Sequence, residues 1–282
     1  MRRALAFSFL LLGCSGQRAA PPICSHAQAL SAQQILGTSL PPKTLALTFD
    51  DGPGSRTVEL ASWLAAQNIH VAFFVNGHCF QDGNGCGNVN PTRDPATVLG
   101  QVRAHGHFVG NHTQDHLDLT TLRDAEILSE LAATDAIIAP YTDSQFLFRA
   151  PYGAWNARDY EVLQGSAMQK YVGTIGWDIG GQRTDTSAAD WACWRDPKLT
   201  TEECGDLYRM EIDAVSRGIV LMHDADYGTP EGNTIDMAKY LVPQLASAGY
   251  SFVRVDEIPE VRSLLPPAMP SDAGVPPKDP CL

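Results

Sequence analysis

Residues 45–53 read LALTFDDGP, a short apolar run that ends in two carboxylates and a Gly-Pro turn. A helical pattern follows at 57–66, and residues 71–75 (VAFFV) form a second apolar run without a polar residue. A strand that is buried on both faces has this unbroken apolar character, and its alternation with helices is typical of a parallel sheet. The stretch therefore predicts an α/β domain.

The alternation of strands and helices continues to residue 255. Further strands are predicted at 107–111, 145–148, 171–179, 219–223 and 252–255. Further helices are predicted at 96–105, 121–138, 156–168, 202–217 and 235–248. Thr121 and Asp124 are predicted to form a capping box, and Gly218 and Gly249 to close the last two helices. Seven such strands fit an open doubly wound sheet or a closed barrel, and no G-x-G-x-x-G supports a dinucleotide-binding version.

The amino terminus has the features of an export signal. Arg2 and Arg3 precede an apolar run at 4–12 that is too short to span a bilayer. The end of the run, LLGC, resembles a bacterial lipobox, so we expect removal of residues 1–13 and lipidation of Cys14. Residues 14–43 are then predicted to be a tether and N-terminal segment before a domain at 44–260. Such a protein is an exported lipoprotein, bound to a membrane only through its lipid anchor.

The six remaining cysteines are predicted to form disulfides, because the chain is expected to be exported. Loop closure favours near neighbours, which pairs Cys79 with Cys86 and Cys193 with Cys204. Cys24 and Cys281 are left to join the two ends of the chain. The sequence contains no C-x-x-C spacing, so a cysteine-based zinc site is not expected.

The composition excludes several classes of protein. The chain has 20 Lys and Arg against 32 Asp and Glu, a formal net charge of −12, which disfavours nucleic-acid and anionic membrane partners. Hydrophobic residues make up 44% of the chain, too many for a disordered protein. We expect a monomer with one catalytic domain, an uncharged substrate and a Pro-rich tail at 261–282.

Chemically active side chains follow the predicted strands. They are Asp50 and Asp51, His112 and His116, Arg149 and Tyr152, Asp178, and His223. Each alone has an ordinary explanation, such as a turn, a hydrogen-bonded histidine or a strand-to-loop junction. Their joint placement at the carboxyl ends of strands, where barrel enzymes have their active sites, predicts a functional site.

This set of residues suits metal-assisted hydrolysis. Two imidazoles four residues apart and one carboxylate make a three-ligand site with an open position. A divalent cation there acidifies a water and polarises a carbonyl. A second carboxylate can take the proton from that water, an arginine can keep this base ionised, and a histidine can protonate the leaving group.

Four segments resemble the ordered motifs of NodB-type polysaccharide deacetylases, carbohydrate esterase family 4. They are TFDDGP at 48–53, HTQDH at 112–116, RAPYG at 149–153 and LMH at 221–223. The resemblance covers about residues 44–256. It implies a distorted (β/α)7 barrel that hydrolyses N-acetyl groups on amino sugars or O-acetyl groups on xylan.

The resemblance also implies a role for each matching residue. Asp50 is implied as general base, oriented by Arg149, and His223 as general acid. Asp51, His112 and His116 are implied as ligands of a divalent metal, with zinc expected and cobalt, nickel or manganese as alternatives. Pro151 and Tyr152 are implied at the substrate, where the Tyr152 N–H would bind the oxyanion, and Leu221 would line the acetyl pocket.

One motif departs from the family pattern. The family has an Asp near an Asp-Trp pair after the fifth strand, which tunes the acid histidine. Here Asp178 follows that strand, whereas Asp190-Trp191 comes later in a Cys-containing insertion. Asp178 is taken first, and Asp185 and Asp190 remain open. Trp191 or Trp194 is expected to form an aromatic wall for a sugar, with internal packing as the alternative.

We therefore expect a metal-dependent deacetylase acting on an acetylated glycan, peptidoglycan first and chitin-type oligosaccharides second. The insertions at 77–95 and 185–205 are expected to shape its groove. The alternatives are an acetylxylan esterase, a hydrolase of non-sugar amides, a non-catalytic carbohydrate-binding protein and an iron-dependent redox enzyme. The extra carboxylate of Asp50 and the separate His223 favour hydrolysis over redox chemistry.

Overall fold

The computed structural model describes residues 30–81, 86, 94–143, 145–195, 199–225 and 233–265. The predicted signal peptide, the lipidation of Cys14 and the Cys24–Cys281 pair lie outside the described residues. Within them, the Cys79–Cys86 and Cys193–Cys204 disulfides are confirmed. No helix in the described part of the chain has the length and apolar character needed to cross a membrane.

Seven strands and eight α-helices form the described fold. The strands are β1 (Leu30–Ile35), β2 (Thr44–Asp50), β3 (Ala72–Val75), β4 (Phe108–Asn111), β5 (Gly173–Ile175), β6 (Arg217–His223) and β7 (Ser251–Phe252). The helices are α1 (Thr57–Ala66), α2 (Pro95–Ala104), α3 (Asp124–Ile138), α4 (Ala157–Gln164), α5 (Asp190–Cys193), α6 (Thr201–Val215), α7 (Asn233–Ser247) and α8 (Pro259–Leu264).

The strands are parallel and form a distorted barrel. One sheet has the order β4-β3-β2-β6, with β7 also paired to β2, and a second sheet pairs β1 with β5. Isolated bridges join Asn111 to Phe148, Leu147 to Val172 and Ile179 to Val220, so that they link the two sheets. The predicted α/β barrel is confirmed, although the predicted strand at 145–148 is reduced to these bridges.

Strand β1 was not predicted, and its six residues lie within residues 14–43, the predicted tether and N-terminal segment. The strand pairs with β5, and its end residues Leu30 and Ile35 are buried. Its middle residues are exposed, so the apolar alternation that reveals a strand in a sequence is missing. The fold also extends beyond residue 260, because Val261 in α8 is buried in the core.

The side chains of β2 divide between two cores. Leu45, Leu47 and Phe49 lie in the cluster that packs against the helices, and Ala46 lies in the cluster inside the barrel. Because side chains alternate along a strand, Thr48 and Asp50 share the inner face with Ala46. The last residue of the strand therefore points its carboxylate into the barrel.

Two predicted helix ends are wrong. Helix α3 begins at Asp124, where the Arg123 N–H donates to Glu126 Oε2 at 2.9 Å, and the Thr121 hydroxyl instead donates to the Asp118 carbonyl. Helix α6 ends at Val215, and Ser216 takes the left-handed conformation (φ 67°). Gly218 lies within β6, whereas Gly249 closes α7 with φ 82°, as predicted.

The buried side chain of His107 lies at the start of β3 and β4, where its packing can be tested. The side chain is buried, its Nδ1 accepts the Val71 N–H at 3.1 Å, and its Nε2–H donates to the Ala61 carbonyl at 2.8 Å. Burial lowers the pKa of His107 to about 4. The unfolded chain therefore binds this proton at higher pH than the folded chain does. We predict that the free energy of unfolding falls by about 3 kcal/mol through this group as the pH drops from about 6.5 to 4.

Urea unfolding across this pH range checks the prediction. The His107→Phe variant should lose this part of the pH dependence, although it is less stable at neutral pH because two backbone groups lose their partner. The His105→Gln variant, changed at a neighbouring half-buried histidine, is the control and should follow the wild type. An unchanged pH dependence in His107→Phe would contradict the prediction.

Candidate active site

The predicted metal ligands meet at the carboxyl ends of β2 and β4. Asp51 Oδ1 lies 3.3 Å from His112 Nε2 and 3.1 Å from His116 Nε2. The three ligand atoms all lie within 4.8 Å of one another. Asp51 and His112 are buried, and His116 is partly exposed. The structure thus brings together the three residues that the sequence predicted.

The chemistry of these three side chains fits a divalent cation. His112 Nδ1 lies 2.8 Å from the Arg149 carbonyl, which can only accept, so Nδ1 donates to it and Nε2 is the ring atom that can bind a metal. Asp51 Oδ1 is buried without a hydrogen bond among the described residues. Burial raises the pKa of the Asp51 carboxyl, but the imidazoles of His112, His223 and His116 outweigh it and hold that pKa well below its usual range. The Asp51 ligand atom is therefore deprotonated, as metal binding requires. Burial lowers the pKa of His112, but the carboxylates of Asp50 and Asp51 outweigh it and raise that pKa, so a metal ion must displace a proton there.

Both carboxylates of the Asp50-Asp51 pair face this site because Asp51 leaves the strand conformation. Successive side chains of a strand point to opposite faces, but Asp51 has φ 70°. As a result, Asp50 Oδ2 lies only 3.6 Å from His112 Nε2. The next residue must be glycine, since a Cβ at Gly52 would lie 2.3 Å from Asp224 Oδ2.

Arg149 fixes Asp50 in place. Its side chain is fully buried, and Nη1 donates to Asp50 Oδ1 at 2.7 Å and to Thr48 Oγ1 at 2.9 Å. Nε and Nη2 donate to the carbonyls of Ile175 and Gly176, each at 2.9 Å. The guanidinium has no room to swing away, so Asp50 keeps one oxygen on Arg149 and the other towards the metal ligands.

His223 faces the site from the end of β6 and is held by Asp190. The imidazole Nδ1 lies 2.7 Å from Asp190 Oδ1, and Nε2 lies 3.7 Å from Asp51 Oδ2. Asp190 is fully buried, and its Oδ2 also accepts the His223 N–H and the Thr234 hydroxyl. Burial lowers the pKa of His223, but the carboxylates of Asp190, Asp51 and Asp50 outweigh it and raise that pKa to about 10.

Asp178 was the wrong first choice for the partner of His223. Its Oδ2 accepts the Gly37 N–H and the Ile219 N–H, both at 2.8 Å, and so ties the chain after β1 to β6. Asp185 is exposed. Asp190 is the partner, and the Asp-Trp pair noted in the sequence was the signal that could have identified it.

Helix α6 holds the insertion that carries Asp190. The Tyr208 hydroxyl accepts the Asp190 N–H at 3.2 Å and donates to the Leu221 carbonyl at 2.9 Å. The Cys193–Cys204 disulfide joins α5 to α6, and Glu211 Oε2 accepts the N–H groups of Gly180 and Ala188. These contacts place a residue from a long insertion beside the end of β6.

The predicted substrate-binding residues differ in exposure. Tyr152 is 66% exposed, with φ 59° and its ring centroid 4.5 Å from that of His116, whereas Pro151 and Leu221 are buried. Trp191 is 40% exposed, with the Arg195 guanidinium 5.1 Å from its ring. Trp194 is partly buried and packs internally, where its Nε1–H donates to Thr234 Oγ1.

Two supporting residues had no signal in the sequence. The Gln34 side chain, on β1, donates to the Gly153 carbonyl at 2.7 Å and holds the turn that carries Tyr152. Thr234, on α7, orients the Asp190 carboxylate. Both act across more than 40 positions of the chain, so local spacing could not reveal them.

The ligand set predicts one divalent cation per chain. We expect Asp51→Ala, His112→Ala and His116→Ala each to lower zinc affinity at least 100-fold, because each removes one of three protein ligands. His105→Gln is the control and should keep wild-type affinity, since His105 is a histidine outside this set. Isothermal titration calorimetry of the metal-free protein measures the affinity. Equal affinities in wild type and all three ligand variants would contradict the assignment.

Polysaccharide deacetylases are similar to this chain in sequence. The polysaccharide deacetylase model matches residues 37–169. A chitin deacetylase of Colletotrichum lindemuthianum is 29% identical over 239 residues, which cover 83% of this chain and 88% of that protein. A peptidoglycan-N-acetylglucosamine deacetylase of Bacillus cereus is 26% identical over 217 residues, which cover 77% of this chain and 88% of that protein.

A solved structure of a deacetylase has a similar fold. The structure of the chitin deacetylase from Colletotrichum lindemuthianum superposes with a TM-score of 0.58 at 27% identity, over 81% of this chain and 90% of that one. The fold, the site at the ends of the strands and the sequence matches all point to the same kind of protein. In sequence and in fold, the chain is similar to polysaccharide deacetylases.

Proposed function

We propose that this chain is a metal-dependent hydrolase that removes N-acetyl groups from an amino-sugar polysaccharide or oligosaccharide. The observation that supports it best is that two adjacent carboxylates have different partners. Asp51 lies with His112 and His116 as a ligand set, whereas Asp50 is held beside that set by Arg149. A hydrolase needs both a metal site and a separate base, and this turn supplies the two.

Asp50 is the general base in this proposal. A divalent cation at the ligand set, when bound, acidifies a water and polarises the acetyl carbonyl. Asp50 Oδ1 is occupied by Arg149, so Oδ2, which faces His112, is the oxygen that takes the proton. The buried arginine holds this carboxylate in the orientation that the step requires.

His223 is the general acid. Its Nδ1–H is donated to Asp190, which leaves Nε2 directed at the site to protonate the departing amine. An amine is a poor leaving group until it is protonated, so hydrolysis of an amide depends on such a donor. The negative charge of Asp190 favours the protonated imidazole before the transfer.

The turn at residues 151–153 supplies the remaining contacts. We assign the Tyr152 N–H to the developing oxyanion, and a non-glycine residue held at φ 59° beside the ligand set fits such a specialised role. Leu221, on the neighbouring strand β6, is assigned to the acetyl pocket, with Pro151 at its edge. Trp191 is assigned to sugar stacking.

The substrate is proposed from the relatives and from the charge. Two relatives are named for chitin and peptidoglycan deacetylation. The sugar backbones of chitin and peptidoglycan are uncharged, which suits a protein with a net charge of −12. We propose peptidoglycan or chitin-type oligosaccharides as substrate and zinc as metal, in a monomeric lipoprotein anchored through Cys14.

Acetate release from these glycans and from acetylxylan separates N-deacetylation from the esterase alternative. Binding without release would indicate a non-catalytic protein.

The first prediction from this proposal concerns the base. Asp50→Asn should lower kcat by about 100-fold to 10,000-fold, because the amide cannot accept the proton. Zinc affinity should stay near the wild-type value, since Asp50 is not a ligand. Acetate release and calorimetry are measured on the same samples, with Asp185→Asn, at an exposed carboxylate of the insertion, as matched control. Full activity in Asp50→Asn would contradict the role of the base.

The second prediction concerns the partner of the acid. Asp190→Asn should lower kcat at least tenfold with little change in zinc affinity, because His223 loses the carboxylate that orients it and keeps it protonated. Thr234→Val, which removes one hydrogen bond to the same carboxylate, should lower kcat less. A variant of Asp190 with wild-type kcat would show that His223 does not need this partner.

A further inference from the structure

The loop between the two histidine ligands has a conformation that side-chain-bearing residues avoid. Thr113 has φ 70° and His116 has φ 54°, both in the left-handed region. This conformation is unfavourable for residues with a Cβ and persists only where the surrounding structure holds them. Since His112 and His116 begin and end this loop, its conformation determines the distance between the two imidazoles.

Residues that follow β3 hold the carbonyl groups of the loop. The Asn76 side chain donates to the carbonyls of His112 and Thr113. The Gly77 N–H donates to the Thr113 carbonyl at 3.1 Å, and the His78 N–H donates to the Gln114 carbonyl at 3.0 Å. These contacts fix one edge of the loop.

The N–H groups on the other edge face acceptors from two places. Asn111 Oδ1 accepts the Thr113 N–H at 2.9 Å, and Glu130 Oε2 on α3 accepts the Asp115 N–H at 2.9 Å. Successive N–H groups around a left-handed residue form a concavity that binds an anion. The Glu130 carboxylate supplies that anion from within the protein.

The position of Glu130 has no other evident use. Its side chain is only 6% exposed, on the helix face that also buries Ile127 and Leu131. Among the described residues, no Lys, Arg or His forms an ion pair with it. Burial raises the pKa of the Glu130 carboxyl. This rise is opposed by the Asp115 N–H and by the nearby Thr113 hydroxyl and Gln114 N–H. A buried carboxyl is costly unless hydrogen bonds compensate, and here they come from the ligand loop.

We propose that Glu130 is a positioning residue that holds the loop of residues 112–116 in its metal-binding conformation. It acts as a hydrogen-bond acceptor for the loop and does not touch the metal. The inference rests on the proposed function only in that residues 51, 112 and 116 bind a metal. Partners that orient metal ligands in this way contribute about 10-fold to 100-fold to metal affinity.

Two variants of similar size test the role of the acceptor. Glu130→Met removes the acceptor and should lower zinc affinity at least tenfold, measured by calorimetry on metal-free protein. Glu130→Gln keeps one carbonyl oxygen for the Asp115 N–H and should stay within about threefold of the wild type. Glu126→Ala is the matched control, because it weakens the start of the same helix and should leave zinc affinity unchanged.

The outcomes separate this inference from the proposed function. Wild-type protein without zinc affinity would overturn both, whereas wild-type affinity in Glu130→Met would overturn the inference alone. Equal losses in the Met and Gln variants would also overturn it, since charge rather than an acceptor would then be responsible. If Glu130→Met does not fold, hydrogen exchange in metal-free wild type decides, because the Asp115 amide should be protected. A fast-exchanging Asp115 amide would overturn the inference.

Discussion

The buried ion pair between Arg149 and Asp50 is the constraint on which the rest of the site depends. A guanidinium without solvent contact is tolerated only if each of its donors is satisfied, and removing one partner of such a pair costs about 3–5 kcal/mol. Here the donors reach β2, the end of β5 and the residue after it. The pair therefore joins three parts of the barrel at the point where the chemistry takes place.

This pair explains why two adjacent carboxylates can have different roles. Asp50 follows Thr48 on the inner face of β2, and Arg149 keeps it there. Asp51 turns back through its left-handed backbone and meets the imidazoles instead. The metal site and the base are thus set by one turn of chain. The acid comes from the opposite side, where α6 and α7 hold Asp190 against His223.

The sequence predicted those parts of the structure that depend on local pattern. Strands β2, β3, β4 and β6 have continuous apolar character, and their ends carry the ligands, the base and the acid. Local pattern failed where contacts between distant segments decide. β1 is stabilised by pairing with β5 despite its polar middle, and Asp190 reaches His223 only because an insertion folds back. Helix α6 ends at Val215, and Ser216 rather than Gly218 takes the left-handed conformation after it, because β6 already begins at Arg217.

The central claim is that Asp51 binds the metal while Asp50 stays off it on Arg149. A crystal structure of the zinc-loaded protein, with anomalous data at the zinc edge, tests this directly. We predict one peak within coordination distance of Asp51, His112 and His116, with Asp50 still hydrogen-bonded to Arg149. A peak coordinated by Asp50, or no peak among these residues, would contradict the account.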